Sequence, residues 1–447
     1  MKTALRMLIV IVVLLPPLRV SARTWYIKAD GTGDAPTIQA GVDSAAVGDT
    51  VLVGPGIYSD TTHVTIDTWD IAVNVLIDKS IHLVGEVDAP GVVIQKHKSN
   101  VAVVVYGAGV SANVESIAIR GNFDLFGCII DPVQEQPAPK GFTEIGVWGR
   151  LGDLVVRECA IDSTFMGILV DQGLASIISN QLNGVSTGMF CSQSSQAQVT
   201  GNCIYKSVQG IASDGAKVMI SNNIIEGEGF VQPCQGISCF GGEAEIRDNR
   251  IVNVRFASIQ CGVTSAIIEN NRIDGAGTGT GVYLPGADFT TVRGNIIYHA
   301  EWGIDVLHSR GVTIKHNTFD GVNLGIMCQI GTDPKISANV FARAQGGVFC
   351  DDLSTPTIEC NDMYQVEYPY YYRCSDQTGV NGNISVDPEF CGIDDSGNYY
   401  LQSDSPCAPG NHPAGYDCGV IGALPVNCGT DPAKQHTWGS LKEMYKK

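Results

Sequence analysis

An asparagine recurs through the middle of this chain at an almost constant interval. It lies in the pattern apolar-x-x-Asn-x-apolar, as in IRDNRI, IENNRI and IKHNTF. The successive intervals are 22, 21, 26, 22, 24, 22, 22, 22 and 22 residues. The asparagines are Asn180, Asn202, Asn223, Asn249, Asn271, Asn295, Asn317, Asn339, Asn361 and Asn383. Self-similarity at a fixed period indicates a repeat protein, in which each repeat contacts its neighbours.

A second pattern runs in phase with the asparagines. It reads glycine-apolar-x-small or apolar, as in GILV, GVYL and GIDV. Each repeat therefore holds short alternating strands separated by Gly, Ser, Asn and Asp turns. No strand can bury its apolar side within one repeat, whereas coils stacked about 4.8 Å apart can. The sequence predicts an all-β, single-stranded right-handed parallel β-helix with about 22 residues per coil.

The asparagine column is predicted to be structural. In each coil it lies between inward apolar positions, such as Ile314 and Phe319, at a corner where one residue takes a left-handed backbone. Asparagine tolerates that conformation, and stacked amides can hydrogen-bond from coil to coil. A leucine-rich-repeat horseshoe, the alternative fold, would need Leu-rich strands, whereas Ile and Val predominate here.

The ends of the chain differ from the repeats. A basic start, an apolar stretch and small residues at the cleavage site predict a secretory signal peptide at the N-terminus. The expected segments are the signal peptide at 1–22, an N-terminal cap with a short helix after Thr37 and the first strands at 23–76, the β-helix at 77–385 with an insertion at 123–142, a C-terminal cap at 386–428 and a tail with helical periodicity at 429–447. No membrane span is expected in the mature chain.

The segments DGTGDAPTIQA (30–40), SVDPEF (385–390) and DCGVIGA (417–423) resemble the opening and closing segments of exported right-handed parallel β-helix proteins in the pectin-lyase-like superfamily. With the repeats, the resemblance spans residues 25–428. It implies the fold, but that superfamily contains lyases, hydrolases, esterases, epimerases and adhesins. The Gly-His-Gly and Arg-Ile-Lys motifs of polygalacturonases and the Asp-Pro-His-Asp motif of alginate epimerases and lyases are missing from the sequence.

Charge and cysteine content limit the partners and the compartment. The net charge of -18 disfavours nucleic acid and other polyanions, except at a local basic patch. Fifteen cysteines in an exported chain indicate disulfides and a secreted, extracellular or periplasmic location. Cys191, Cys239, Cys261, Cys328, Cys350 and Cys374 are predicted to be stacked inward thiols, and Cys391, Cys407, Cys418 and Cys428 to form two disulfides. No metal or cofactor is expected, since no motif supports Ca²⁺.

Two clusters are candidate ligand sites. The first surrounds the outer side of the glycine-containing strands and comprises Phe190, Tyr283, Trp302, His308, Phe349, Asp352 and Arg373, with Asp305 and Asp351 as candidate catalytic carboxylates about 10 Å apart. Aromatic rings among polar groups suit sugar binding. The second comprises Arg247, Arg250, Arg272, Arg293 and Lys315, a candidate site for an anionic polymer unless Asp248, Glu269, Asp274 and Asp320 neutralise it.

The function predicted from these features is binding of a polysaccharide or surface glycan by an exported β-helix, with no catalysis assigned. One alternative is a polysaccharide lyase or glycoside hydrolase that uses Asp305 and Asp351 on the outer face. Another is a purely structural or adhesive surface rod. The oligomeric state is not predicted.

Overall fold

Three long sheets wind around a common core in the computed structural model, which describes residues 21–86, 91–96, 100–123, 144–227, 234–392 and 398–428. The sheets form a right-handed parallel solenoid of about 14 turns, which confirms the predicted fold. The expected signal peptide up to residue 20, the insertion from residue 124 onward and the tail at 429–447 lie outside the described residues.

Each regular coil gives one strand to each sheet in turn. The first sheet contains Thr24–Ile27, Thr50–Val53, His82–Gly85, Ser111–Glu115, Asp153–Arg157, Leu174–Ile178, Gln196–Thr200, Lys217–Ser221, Glu243–Arg247, Ser265–Glu269, Thr291–Arg293, Thr313–Lys315, Lys335–Ser337 and Thr357–Glu359. The second sheet contains Gly56–Tyr58, Val92–Gln95, Ala118–Arg120, Ala160–Asp162, Gln181–Asn183, Cys203–Ser207, Ile224–Gly227, Arg250–Val252, Arg272–Asp274, Ile296–Tyr298, Thr318–Asp320, Val340–Ala342 and Asp362–Tyr364.

The third sheet completes each coil. It contains Thr62–Ile66, Trp69–Ile77, Val101–Tyr106, Ile145–Arg150, Met166–Asp171, Thr187–Cys191, Gln209–Asp214, Gln235–Phe240, Ala257–Gly262, Thr280–Pro285, Trp302–Leu307, Leu324–Gln329, Gly346–Cys350 and Tyr368–Tyr372. Its first two strands pair antiparallel as a hairpin, and the strands that follow are parallel. A separate antiparallel pair, Phe390–Gly392 with Asn398–Leu401, belongs to the C-terminal cap.

The asparagine column stands between the first and second sheets and is buried along its whole length. In one step, the backbone N–H and the Nδ2 of Asn271 both donate to Oδ1 of Asn295, at 2.9 and 3.0 Å. The same Nδ2 donates at 2.9 Å to the carbonyl of Ile246 in the preceding coil. The left-handed residue precedes the asparagine, as at Asn270 (φ 56) and His316 (φ 53), so the asparagine serves as a two-sided hydrogen-bonding group.

Replacing Asn295 with Ala should lower the free energy of unfolding by about 3 kcal/mol, because buried groups of Asn271 and the carbonyl of Ile268 would lose their partner. Denaturant unfolding measures the change. Asn323→Ala, at an exposed position, is the matched control and should change stability by less than about 0.5 kcal/mol. Equal effects of the two substitutions would contradict a special contribution of the amide column to the free energy of unfolding.

The N-terminal cap contains the expected helix, Ile38–Ser44. Its N-cap is Thr37, whose Oγ1 accepts a hydrogen bond from the N–H of Ala40 at 3.1 Å. The helix buries Ile38, Gly41 and Val42 over the open end of the core. A Cβ at Gly41 would lie 2.6 Å from Cδ1 of Ile27, so the glycine, unfavourable for the helix alone, allows the helix to approach the first strand.

The disulfides differ from those expected. The bonds join Cys350 to Cys374, Cys360 to Cys418 and Cys391 to Cys428. Of the two bonds expected among the last four cysteines, one is present between Cys391 and Cys428; the second expectation was wrong, because Cys418 pairs with Cys360 and Cys407 is free and buried. Cys350 and Cys374 were expected to be thiols, but Cys374 lies beyond the last third-sheet strand and approaches Cys350 from the end, with a Cα–Cα distance of 5.2 Å. Cys191, Cys239, Cys261 and Cys328 are free thiols, as expected, and Cys239 and Cys261 are register neighbours.

The C-terminal cap folds back over the outer side of the second sheet. Phe390, Tyr399 and Leu401 of the cap pack with Ile296 and Val340 in a second apolar cluster. The hydroxyl of Tyr399 donates to Asp320 at 2.7 Å. Beneath the cap, Asp362 is buried and accepts hydrogen bonds from the N–H of Val386 at 3.0 Å and from the thiol of Cys407 at 3.3 Å. Burial raises the pKa of Asp362 to about 7.

This buried carboxyl should make the docking of the cap sensitive to pH. The folded pKa of Asp362 lies above its unfolded value of about 3.9, so its contribution to stability is present at low pH and is lost as the pH rises through about 7. Relative to Asp362→Asn, the wild-type protein should therefore lose stability between pH of about 4 and about 8, as measured by thermal unfolding across that range. Asp404→Asn, an exposed substitution in the same cap, is the control, and its stability should follow that of the wild-type protein across this pH range. If the stability of Asp362→Asn also changed with pH in the same way as that of the wild-type protein, the raised pKa of Asp362 would be contradicted.

Candidate functional site

The third sheet carries most of the residues predicted to bind sugar. Two rows of side chains face outward from its strands between Met166–Asp171 and Gly346–Cys350, and we call them the outer strip. One row runs in register through Leu169, Phe190, Ala212, Ser238, Gln260, Tyr283, Asp305, Met327 and Phe349, and the other through Met166, Thr187, Gln209, Gln235, Ala257, Thr280, Trp302, Leu324 and Gly346.

Strand alternation places the row through Tyr283 and Asp305 outside the core. Val282 and Leu284 point inward and are fully buried, while Tyr283 between them is half-buried on the outer side. Ile304 and Val306 flank Asp305 in the same way. Of the predicted sugar-binding residues, Phe190, Tyr283, Trp302 and Phe349 lie on the strip, and each is half-buried.

The same face is apolar and covered nearer the N-terminus. Val104 and Trp148 are buried there in a cluster with Ile66 and Ile71 of the N-terminal hairpin. The turn of that hairpin is held to the rod because Arg150 bridges Asp67 and Asp171. The polar and aromatic part of the strip therefore begins beyond this hairpin.

A row of glutamine amides lies on the strip upstream of Tyr283. Nε2 of Gln209 donates to Oε1 of Gln235 at 3.0 Å, and Nε2 of Gln235 donates to Oε1 of Gln260 at 2.6 Å. Sequence reasoning missed this row. The repeated tripeptide Gln-Gly-Ile, which begins at Gln209 and again at Gln235, was the signal that could have revealed it.

Asp305 is an outward-facing carboxyl that is almost inaccessible to solvent. It is 4% exposed and lies in register between Tyr283 and Met327. One of its oxygens accepts a hydrogen bond from Nε2 of Gln329 at 2.9 Å. Burial raises the pKa of Asp305, although the bond from Gln329 acts in the opposite direction. Such a carboxyl keeps its proton to higher pH, which suits a hydrogen-bond donor or a general acid.

The other predicted polar residues lie past the ends of the strands, at the corner between the third and first sheets. Asp351 accepts hydrogen bonds from the N–H groups of Ile330, Leu353 and Ser354, at 2.5, 3.0 and 2.8 Å. Burial alone would raise the pKa of Asp351, but these hydrogen bonds hold it below its usual value. The carboxylate of Asp351 thus stabilises a turn.

Three further predicted residues share this corner. Asp352 forms an exposed ion pair with Arg373, and His308 is an exposed left-handed corner residue with φ 50. The structure therefore divides the predicted sugar site into a strip on the sheet and a set of corner residues. Asp305 lies on the strip, whereas Asp351 lies at the corner and is engaged in its turn.

The basic cluster lies at the corner between the first and second sheets, away from the strip. Glu269 pairs with both Arg247 and Arg293, the latter at 2.8 Å, and Lys315 follows Arg293 in register. Arg250 and Arg272 are register neighbours at the start of second-sheet strands. The guanidinium of Arg272 lies 5.5 Å from the ring centre of Tyr298.

Of the acids expected to neutralise this cluster, Glu269 does so directly. Asp320 instead pairs with Arg343, and Asp274 lies 3.5 Å from His299. Among the residues that the structure describes, no group of three or more His, Cys, Asp or Glu side chains is arranged to hold a metal ion. In the same part of the chain, no helix is long and apolar enough to cross a membrane.

Comparisons with known proteins agree with this geometry. A family model described as "Right handed beta helix region" matches residues 257–404. Together with the sheet topology, this match identifies the fold. The chain folds as a right-handed parallel β-helix. No curated protein sequence matches it.

Three proteins with solved structures of similar fold are named as carbohydrate-acting enzymes. The PL6 family alginate lyase AlyGC is 13% identical with a TM-score of 0.56, over 92% of this chain and 59% of that chain. The catalytic domain of a GH87 alpha-1,3-glucanase with nigerose is 9% identical with a TM-score of 0.48, over 76% and 66%. The periplasmic alginate epimerase AlgG is 11% identical with a TM-score of 0.44, over 70% and 76%. At these identities the likeness is one of fold alone.

Proposed function

We propose that this protein binds a polysaccharide along the outer strip of the third sheet. The observation that carries the proposal is the alignment of aromatic and amide side chains on seven of the eight coils from Phe190 to Phe349, namely Phe190, Gln209, Gln235, Gln260, Tyr283, Trp302 and Phe349. Seven steps of about 4.8 Å span roughly 34 Å, which suits an extended polymer better than a single small sugar.

The strip offers side chains for both kinds of group on a sugar ring, the C–H groups and the hydroxyl groups. Tyr283 and Trp302 offer aromatic faces that can pack against sugar C–H groups. Phe256, which is 43% exposed, widens this surface by an edge-to-face contact with Tyr283 at 6.2 Å between ring centres. The amides of Gln209 and Gln235 can both donate to and accept from hydroxyl groups.

Export of the protein supports this use. The three disulfides point to an exported protein, because such bonds persist in oxidising compartments. We assign residues 1–22 as the signal peptide that directs export, and we place the mature protein outside the cytoplasm, either secreted or in a periplasm. Polysaccharides are abundant in those compartments.

Combined replacement of Tyr283 and Phe349 with Ala should weaken binding of the cognate polysaccharide at least about tenfold, because two stacking surfaces are lost. A glycan array identifies the ligand, and calorimetry measures its affinity. Phe289→Ala is the matched control, since that ring is 74% exposed but lies outside the strip. Unchanged affinity in the double variant would contradict the proposal, and absence of any glycan ligand would favour a structural rod.

Cleavage of the bound polymer is a second candidate function, favoured by the burial and raised pKa of Asp305. In this proposal Asp305 acts as the acid that protonates the leaving oxygen. Glycoside hydrolysis needs a second carboxylate. Asp351 remains the candidate for that role, although its present hydrogen bonds would have to be released.

If cleavage occurs, Asp305→Asn should reduce it at least about 100-fold, as expected for loss of a general acid. Assays for reducing ends and for unsaturated products on the same sample distinguish hydrolysis from elimination. The wild-type rate should fall as the pH rises through the pKa of Asp305, because the acid form is lost. Turnover that survives Asp305→Asn combined with Asp351→Asn would exclude both carboxylates as the catalytic pair.

A further inference from the structure

The third sheet has an unusual charge distribution. Nine consecutive strands, from Met166–Asp171 to Gly346–Cys350, contain no Lys, Arg or His residue. The charged residues of these strands are Asp171, Asp214 and Asp305. The first and second sheets differ, since their strands in the same coils carry Lys217, Arg250 and other cations.

The arginines just beyond this stretch are already paired. Arg150, one coil upstream, contacts Asp67 and Asp171. Arg373, past the last strand of the third sheet, is paired with Asp352. Exposed cations next to the strip stand on its flanking corners, as at Arg255 and Arg310, and not on the sheet itself.

This distribution is unfavourable for an acidic polymer. A uronate chain carries one carboxylate per sugar, and each would lose hydration on the strip without gaining a cationic partner. Asp305 would add repulsion wherever it is ionised, and the net charge of -18 would slow the approach of a polyanion. The groups that the strip does offer are the amides of Gln209, Gln235 and Gln260 and the aromatic rings, which are matched to hydroxyl groups and C–H faces.

We infer that the strip takes a neutral polysaccharide, whose units carry hydroxyl groups and neither carboxylate nor sulfate. This inference rests on the proposed function and specifies its substrate class. It separates this protein from an alginate-binding one of the same fold. An acidic polymer that binds the protein at all is expected at the Arg250 and Arg272 corner.

The test measures binding of two sets of purified polymers to the full protein. The neutral set contains β-glucan, α-1,3-glucan fragments, xylan, mannan and galactan, and the acidic set contains alginate and polygalacturonate. Each is measured with the wild-type protein, with the combined Tyr283→Ala and Phe349→Ala variant, with Arg250→Gln combined with Arg272→Gln, and with the Phe289→Ala control.

At least one neutral polymer should bind the wild-type protein, lose at least about tenfold in affinity in the strip variant and be unaffected by salt, since screening acts on charges. The affinity for acidic polymers should be the same in the strip variant as in the wild-type protein. Any binding of acidic polymers should weaken in the arginine variant and at high salt. An acidic polymer whose binding is lost in the strip variant would overturn the inference and leave the proposed function standing. If no polymer of either set depends on the strip, the proposed function fails and the inference fails with it.

Discussion

The buried amide column is the constraint on which the rest of the molecule depends. Each asparagine from Asn202 to Asn361 accepts two hydrogen bonds from the asparagine before it and donates to the one after it, so each of these coils fixes the position of the next. Because an unsatisfied amide in the core is costly, the phase of the chain is set once per coil at this corner. The phase in turn decides which residues of the third sheet stack vertically, and Tyr283 and Asp305 are neighbours for that reason.

The outer strip is a consequence of this regularity. Its residues are far apart in sequence, but the solenoid brings one from each coil into line at the spacing of strands. The corners are free to carry other chemistry. The basic residues around Glu269 lie at one corner, and the turn around Asp351 lies at another, so that the charges of this acidic protein are kept largely off the face of the third sheet.

The repeat made the fold predictable, since the spacing of Asn180 to Asn383 and the glycine strands together define strands, corners and an inner face. It also placed Phe190, Tyr283, Asp305 and Phe349 on one outer row, which alternation alone requires. The helix after Thr37 was predictable from its cap. The disulfides were not, because the contact between Cys360 and Cys418 depends on the cap folding back along the second sheet. The turn of Asp351 and the amide row through Gln235 depend on where side chains point, which the pattern of residue types does not specify.

The last asparagine of the amide column, Asn383, donates its hydrogen bonds to backbone carbonyls and not to a further asparagine. Asn383 accepts from Asn361, and its own N–H and Nδ2 donate to the carbonyl of Val380 within the same turn, while Nδ2 also reaches Ile358. No donor of this side chain is left pointing along the axis for a further coil to use. A further coil stacked on this end would find no amide donor to extend the column, and the disulfide between Cys350 and Cys374 lies at the same end. At this corner the hydrogen bonds of the solenoid are completed within the chain itself, so the amide column offers no template for another molecule.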